Sequence, residues 1–270
     1  KIKLTLHFTK PLGSYKPFDN HLEEYLEKLV KYRNCIKNLP SNNGWQKFIQ
    51  IGKLMKEFYI FYDSDEIENM LSWSFGFHGY IDNILGINEN IKSKTIRPCK
   101  IGDKIKFKVK NIWHPCIKNP VKNNINLKKN IIITGPNAAG KTTVIKASII
   151  NLLLTQQIGY GFYDTCETSF FDHIHCYLNI PDTCSRDSLF QAEARRCKNI
   201  LQCIIDNPNK KHFCIFDELY SGTNPYEAIS SAYSYLKFIA KNKNVKFLLT
   251  THYLKLCDLL KTNKKILNQS

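Results

Sequence analysis

The run NIIITGPNAAGKTT (130–143) places Gly135, Gly140, Lys141 and Thr142 at the spacing G-x-x-x-x-G-K-[ST]. Each residue type has a chemical reason to stand there. Glycines let the backbone come close to an anion, and the amide N–H groups at a helix N-terminus face it. Pro136, Asn137, Ala138 and Ala139 span the turn, and Thr143 follows in the first helical turn. A lysine at this position reaches β- and γ-phosphates, and the Thr142 hydroxyl suits Mg²⁺. A second run, HFCIFDEL (212–219), ends in Asp217 and Glu218. The first acid suits Mg²⁺, directly or through water, and the second can polarise an attacking water. A third run, VKFLLTTH (245–252), ends in His252, just past a strand end, where open α/β sheets build their sites. A histidine so placed can sense a γ-phosphate. A chance loop match and a simple acidic turn are the bland alternatives, and the apolar segments flanking each motif argue against them.

Strands and helices must hold these groups in place. The apolar run before Gly135 reads as a buried strand, and TTVIKASIINLLL after Lys141 as a helix. From about residue 97 strand and helix patterns alternate, which predicts an α/β domain with a mainly parallel sheet. Before it, the chain opens on a short alternating segment, KIKLTLHF, followed by polar turn residues. Helical spacing follows at about 20–38, 45–62 and 65–90, as in Leu22, Tyr25, Leu26 and Leu29. No catalytic constellation occurs there. This divides the chain into a helical segment, 1–96, and an α/β domain, 97–270. Within the latter, SRDSLFQAEARR (185–196) has a capping-box spacing from Ser188 to Gln191, and a stripe of Phe190, Ala194, Cys197, Leu201 and Ile204. Asn224, Pro225 and Glu227 suit N-cap, N1 and N3 of another helix.

The ordered set TGPNAAGKTT, SLFQAEARRCKNIL, FDELYSGTNPYEA and TTHY resembles the ATPase domain of the MutS family of DNA mismatch-repair proteins. IWHPCI, with His114 and Pro115, is similar to the Arg-His-Pro segment upstream of that family's phosphate loop. The resemblance covers about 97–260. More weakly, 1–96 resembles the end of the lever region that precedes the ATPase domain. It implies a P-loop NTPase of the ABC-ATPase type, with ATP and Mg²⁺ as ligands. Lys141 and the loop from Gly135 to Thr143 would then hold phosphate, Thr142 and Asp217 Mg²⁺, Glu218 the attacking water, and His252 the γ-phosphate. The family's dimeric arrangement further implies that Ser188 completes the site of a partner protomer. The chain departs from the family pattern in several places. Ala138-Ala139 replaces Met-Gly, Tyr220-Ser221 replaces Gly-Arg, and Asn224-Pro225 replaces Ser-Thr. Val121 stands where an aromatic often stacks on adenine. The mismatch-reading Phe-x-Glu and the C-terminal dimerising extension are not found, and the chain opens on Lys1. A divergent, shortened member or an excised part of one is therefore expected.

The formal net charge is +16, which suits polyanionic partners or follows simply from a composition rich in Lys, Asn and Ile. Between Lys92 and Lys129 stand twelve Lys/Arg and a single acid, Asp103. There KIKFKVK (104–110) alternates apolar residues with lysines, as a solvated strand or one touching a phosphate backbone. Ten cysteines form no C-x-x-C pair, which argues against zinc and disulfide frameworks and for a reducing, intracellular compartment, cytoplasmic or nuclear. No apolar run is long enough to span a bilayer. The resulting expectation is an ATP-hydrolysing domain of a MutS-like DNA-repair protein. It would pair as a homo- or heterodimer, contact DNA mainly through other parts of the protein, and have no membrane role. The alternatives are another ABC-type ATPase, of chromosome-maintenance or recombination type, and a scaffold with a vestigial phosphate loop.

Overall fold

Runs without a polar face have to be covered on both sides, and three of them form the centre of the larger unit. The computed structural model describes residues 1–37, 46–178 and 189–269. The chain divides into two units, 1–89 and 90–270.

In the first unit, helices α1 (Ile2–Thr9), α2 (Lys16–Lys37), α3 (Gln46–Tyr62) and α4 (Asp65–Lys92) follow one another, with a 3₁₀ turn at Lys10–Leu12. The alternating opening segment, whose period of two suits a strand, is helix α1. Ile2 and Leu6, one helical turn apart, are buried, while Leu4 and Phe8, themselves one turn apart, face solvent. They pack with Leu22 and Phe77, and Trp73 stacks on Tyr25 with ring centroids 3.9 Å apart.

The second unit contains two five-stranded sheets. The first is built from β1 (Arg97–Ile101), β2 (Phe107–Ile112), β3 (Asn123–Asn126), β5 (Tyr160–Gly161) and β6 (Thr165–Thr168), and β4 (Asn130–Thr134) belongs to the second. In the first sheet only β1 and β6 run parallel, and the other three pairings are antiparallel. The expectation of one mainly parallel sheet therefore holds for the second sheet and not for the first. The second sheet adds β7 (His173–Tyr177), β8 (His212–Asp217), β9 (Val245–Thr251) and β10 (Ile266–Gln269), in the order β10-β4-β9-β8-β7. All its pairings are parallel.

Side chains of β8 alternate between two cores, as the two-residue period of a strand requires. Phe213 and Ile215 join Ile145, Ile149 and Leu152 of α5 (Lys141–Ile158) and the buried face of the first sheet. Cys214 and Phe216 face the other way, toward α6 (Leu189–Asp206), α7 (Pro225–Ile239) and α8 (Leu254–Leu260). The α6 stripe predicted from spacing packs there: Cys197 and Ile204 are buried, with Phe190, Ala194 and Leu201 against them. Among the described residues no helix is long and apolar enough to cross a membrane.

Candidate phosphate-binding site

Parallel strands place their carboxyl ends along one edge, and β4, β8 and β9 bring three motifs together there. Thr134 pairs in register with Thr251, and Asp217 with Thr250. After β4 the chain makes the glycine turn and enters α5 at Lys141. Gly140, at φ 86°, is the N-cap residue and offers no side chain to the first turn of α5. The N–H groups of that turn are thus left for an external acceptor. Ala138 also takes a positive φ, 62°, so this loop spends some strain where the family pattern has Met. At Gly135 an added methyl would meet only ordinary contacts, the nearest Ala139 Cβ at 3.7 Å. Nothing within the protein excludes a side chain there, which fits a glycine kept for close approach of a ligand.

Lys141 is buried, and its Nζ donates to the carbonyls of Gly135 and Pro136 at 2.8 and 2.9 Å. The ammonium is held inside the turn, at the height of its carbonyls. The Thr142 hydroxyl donates to Asp217, with its Oγ1 3.1 and 3.0 Å from the two carboxylate oxygens. The Thr250 hydroxyl also donates to Asp217. Asp217 thus stands beside the one hydroxyl of the loop that its motif pairs with a divalent cation. Oxygen donors of this kind are the set Mg²⁺ prefers, and Thr142 with Asp217 could hold it.

Glu218 Oε2 lies 3.0 Å from His252 Nε2. Glu218 has φ 53°, and its N–H donates to the Thr250 carbonyl at 3.0 Å, which ties its backbone to β9. Together, Asn137 to Thr143, Glu218 and His252 line a cavity of about 540 Å³, within the usual range for small-molecule sites. Gly135 and Pro136 are not among its lining residues, and Pro136 is exposed. Ser188, the remaining predicted site residue, lies outside the described residues. Val121 is exposed, and the His114 ring accepts a hydrogen bond from the Cys116 N–H at 3.2 Å.

One residue that the motif reading quoted without a role is structurally central. Glu193, buried on the first turns of α6, accepts from Ser221 N–H at 3.0 Å, Ser221 Oγ at 2.9 Å and Gly222 N–H at 3.1 Å. It clamps the turn that follows Glu218. In the same turn Tyr220 takes φ 58°, where the family pattern has glycine. Its ring is buried against Phe190, and its N–H donates to Tyr177 Oη at 3.2 Å. A Cβ on Gly222 would stand 2.7 Å from Leu189 Cγ, so α6 sits directly on this turn. Asn224 caps α7 as its type predicts, accepting from the N–H groups of Tyr226 and Glu227.

The lysine-rich strand is β2, beginning at Phe107. Phe107 and Val109 are buried, and Lys104 and Lys110 are exposed. Acids from neighbouring segments sit among these lysines. Lys106 pairs with Glu167 and holds its carboxyl below the ordinary range, while Asn111 Nδ2 donates to Asp164 at 2.7 Å.

Residues 131–270 match the family description "MutS domain V". The chain is 30% identical over 198 residues to the DNA mismatch repair protein MutS of Persephonella marina, covering 70% of this chain and 22% of that protein. It is 27% identical over 262 residues to the DNA mismatch repair protein MutS of Clostridioides difficile, covering 92% and 26%. It is 29% identical over 267 residues to the DNA mismatch repair protein MSH3 of Candida albicans, covering 93% and 23%. The chain thus spans about a quarter of the length of each of these relatives.

Proposed function

This chain belongs to the MutS family, carrying its domain V, and from that premise we propose that it binds and hydrolyses ATP as the motor part of a DNA-repair protein. One observation carries the reading: Thr142, Asp217, Glu218 and His252, from three separate segments, meet at one strand edge under the glycine turn. In this reading residues 97–270 are an ATPase domain of the ABC type, and residues 1–96 belong to the lever region.

Mg²⁺, when bound, supplies charge neutralisation at the phosphate oxygens and a template for in-line attack. Thr142 and Asp217 are the residues that would hold it. Lys141 exchanges the carbonyls of Gly135 and Pro136 for phosphate oxygens, and the free N–H groups at the start of α5 take the remaining charge. Glu218 accepts a proton from the attacking water. His252 holds the Glu218 carboxylate and reads the γ-phosphate. The family resemblance supports two further steps: domains pair as homo- or heterodimers, and Ser188 of each completes the site of the other. DNA is gripped mainly by other parts of the full protein.

Glu218→Gln is the direct test. Nucleotide binding should persist, while turnover falls by roughly 10²–10⁴-fold, the usual worth of a positioned general base. Turnover at the parent rate would falsify the assignment. Ser188→Ala tests the shared site: turnover should drop with ATP affinity of the monomer unchanged. If the variant instead only loses the ~1 kcal/mol typical of a helix cap, Ser188 is structural.

A further inference from the structure

At the opposite ends of the same strands lies a second chemical cluster. His173 and His212 begin β7 and β8 and pair in register, and His175 pairs with Cys214. By strand alternation all three histidines face α6, which carries Cys203. Ligand atoms of His175, Cys203 and His212 all lie within 4.8 Å of one another. His175 Nε2 is 3.1 Å from His212 Nδ1. A tetrahedral site with metal–nitrogen bonds of about 2.0–2.1 Å has a nitrogen–nitrogen edge of about 3.3 Å, so this edge is already nearly formed. The sulfur edges ask for about 3.6 Å, where the separations in the cluster are at most 4.8 Å.

The surroundings orient these groups as ligands are oriented. His212 is buried, and its Nε2 lies 2.9 Å from the Asn207 carbonyl. Nε2 is therefore the protonated nitrogen, and the Nδ1 lone pair points at His175. A backbone carbonyl fixing the tautomer from behind is the usual support of a metal-bound histidine. The three imidazole planes lie within 13° of one another. His173 Nδ1 stands 3.7 Å from the Cys203 sulfur, outside the three-residue cluster, and a water would fill the fourth position.

We propose that His175, Cys203 and His212 form a binding site for a zinc-class transition-metal ion that staples α6 to the edge of the parallel sheet. The donor set of two imidazoles and a thiol selects Zn²⁺ or Co²⁺ over Mg²⁺ or Ca²⁺. Binding displaces the Cys203 thiol proton to solvent, leaving a metal-bound thiolate. It also requires His175 to carry its proton on Nδ1, freeing Nε2. The site is separate from the nucleotide cavity. His212 and Asp217 stand at the two ends of β8, about 17 Å apart at the usual rise of a strand. The two share α6, which holds the turn beyond Glu218 through Glu193 and would hold the metal through Cys203. No C-x-x-C or His-x₃-His spacing announces the cluster, because its ligands come from two strands and a helix.

The test is a Co²⁺ titration of the full 270-residue chain in excess Mg²⁺, which occupies oxygen sites. One equivalent should bind with intense tetrahedral visible bands and a thiolate-to-cobalt charge-transfer band. Cys203→Ser should abolish the charge-transfer band. His175→Gln should weaken binding by at least roughly 100-fold, the upper end of what outer-shell changes alone do. Cys116→Ser, at an exposed cysteine, should change neither. A second measurement needs no variant: Zn²⁺ should protect Cys203 of the parent chain from alkylation, read on its peptide by mass spectrometry. Absence of uptake, an octahedral spectrum, a charge-transfer band that survives Cys203→Ser, or equal alkylation with and without Zn²⁺ each overturns the proposal.

Discussion

Replacing Glu193 by glutamine probes the clamp between α6 and the turn after Glu218. One carboxylate oxygen accepts both Ser221 groups, and the other accepts Gly222 N–H. Glutamine keeps one acceptor and turns the other into a donor. Whichever way the amide sits, an NH₂ group then faces an N–H group. Hydrogen bonds to a charged group are worth about 1.5–3 kcal/mol and neutral ones about 0.5–1.5. Two weakened bonds and one donor–donor opposition give a loss of about 2–4 kcal/mol. For a unit of this size each kcal/mol shifts the melting midpoint by about 2–4 °C, so a fall of about 5–15 °C is expected. Differential scanning calorimetry measures that fall. Glu193 does not line the nucleotide cavity, so ATP affinity should be nearly unchanged. Glu218 sits at the start of the loosened turn, and turnover should fall by roughly tenfold or more, because a reacting group needs its supporting shell fixed. A variant that melts within about a degree of the parent and hydrolyses ATP at its rate would refute the reasoning.

Gly222→Ala places a methyl on Leu189 and should cost about 1–3 kcal/mol of stability, measured by urea denaturation. Adding Leu189→Ala should recover part of that loss, and a strictly additive double variant would rule out the contact. For the Lys106–Glu167 pair, the carboxyl is held below its ordinary 4.5 by the lysine. Its contribution to stability is therefore present above that value and is lost as pH falls through the depressed one. Lys106→Ala should bring the Glu167 titration, followed by NMR, back up toward 4.5; an unmoved titration would mean that other neighbours hold it.

Much of the candidate site could be read directly because its chemistry is contiguous. Gly135 to Thr142 needs only a turn and a helix start, and both are encoded within eight residues. Asp217-Glu218 and His252 each end an apolar run too continuous to be anything but a buried strand. Asn224 and Pro225 announce the start of α7 by their own conformational limits, and the α6 stripe follows from a period of 3.6. These features depend on neighbours in the chain, where residue type and spacing carry the physics.

Other features depend on which segments meet. KIKLTLHF has the spacing of a strand, yet it is a helix, because the burial of Ile2 and Leu6 against Leu22 and Phe77 outweighs a weak local preference. Strand direction in the first sheet is not written in β1 or β2, since an amphipathic strand pairs either way. Glu193 lies 28 residues from the Ser221 it holds, and a buried carboxylate on a helix face has no local mark that names its partner. His175, Cys203 and His212 belong to three elements, and only the pairing of β7 with β8 under α6 brings their ligand atoms together. Residue order settled the local geometry of the phosphate loop; long-range packing settled what faces it, what braces it and what lies at the far end of its strands.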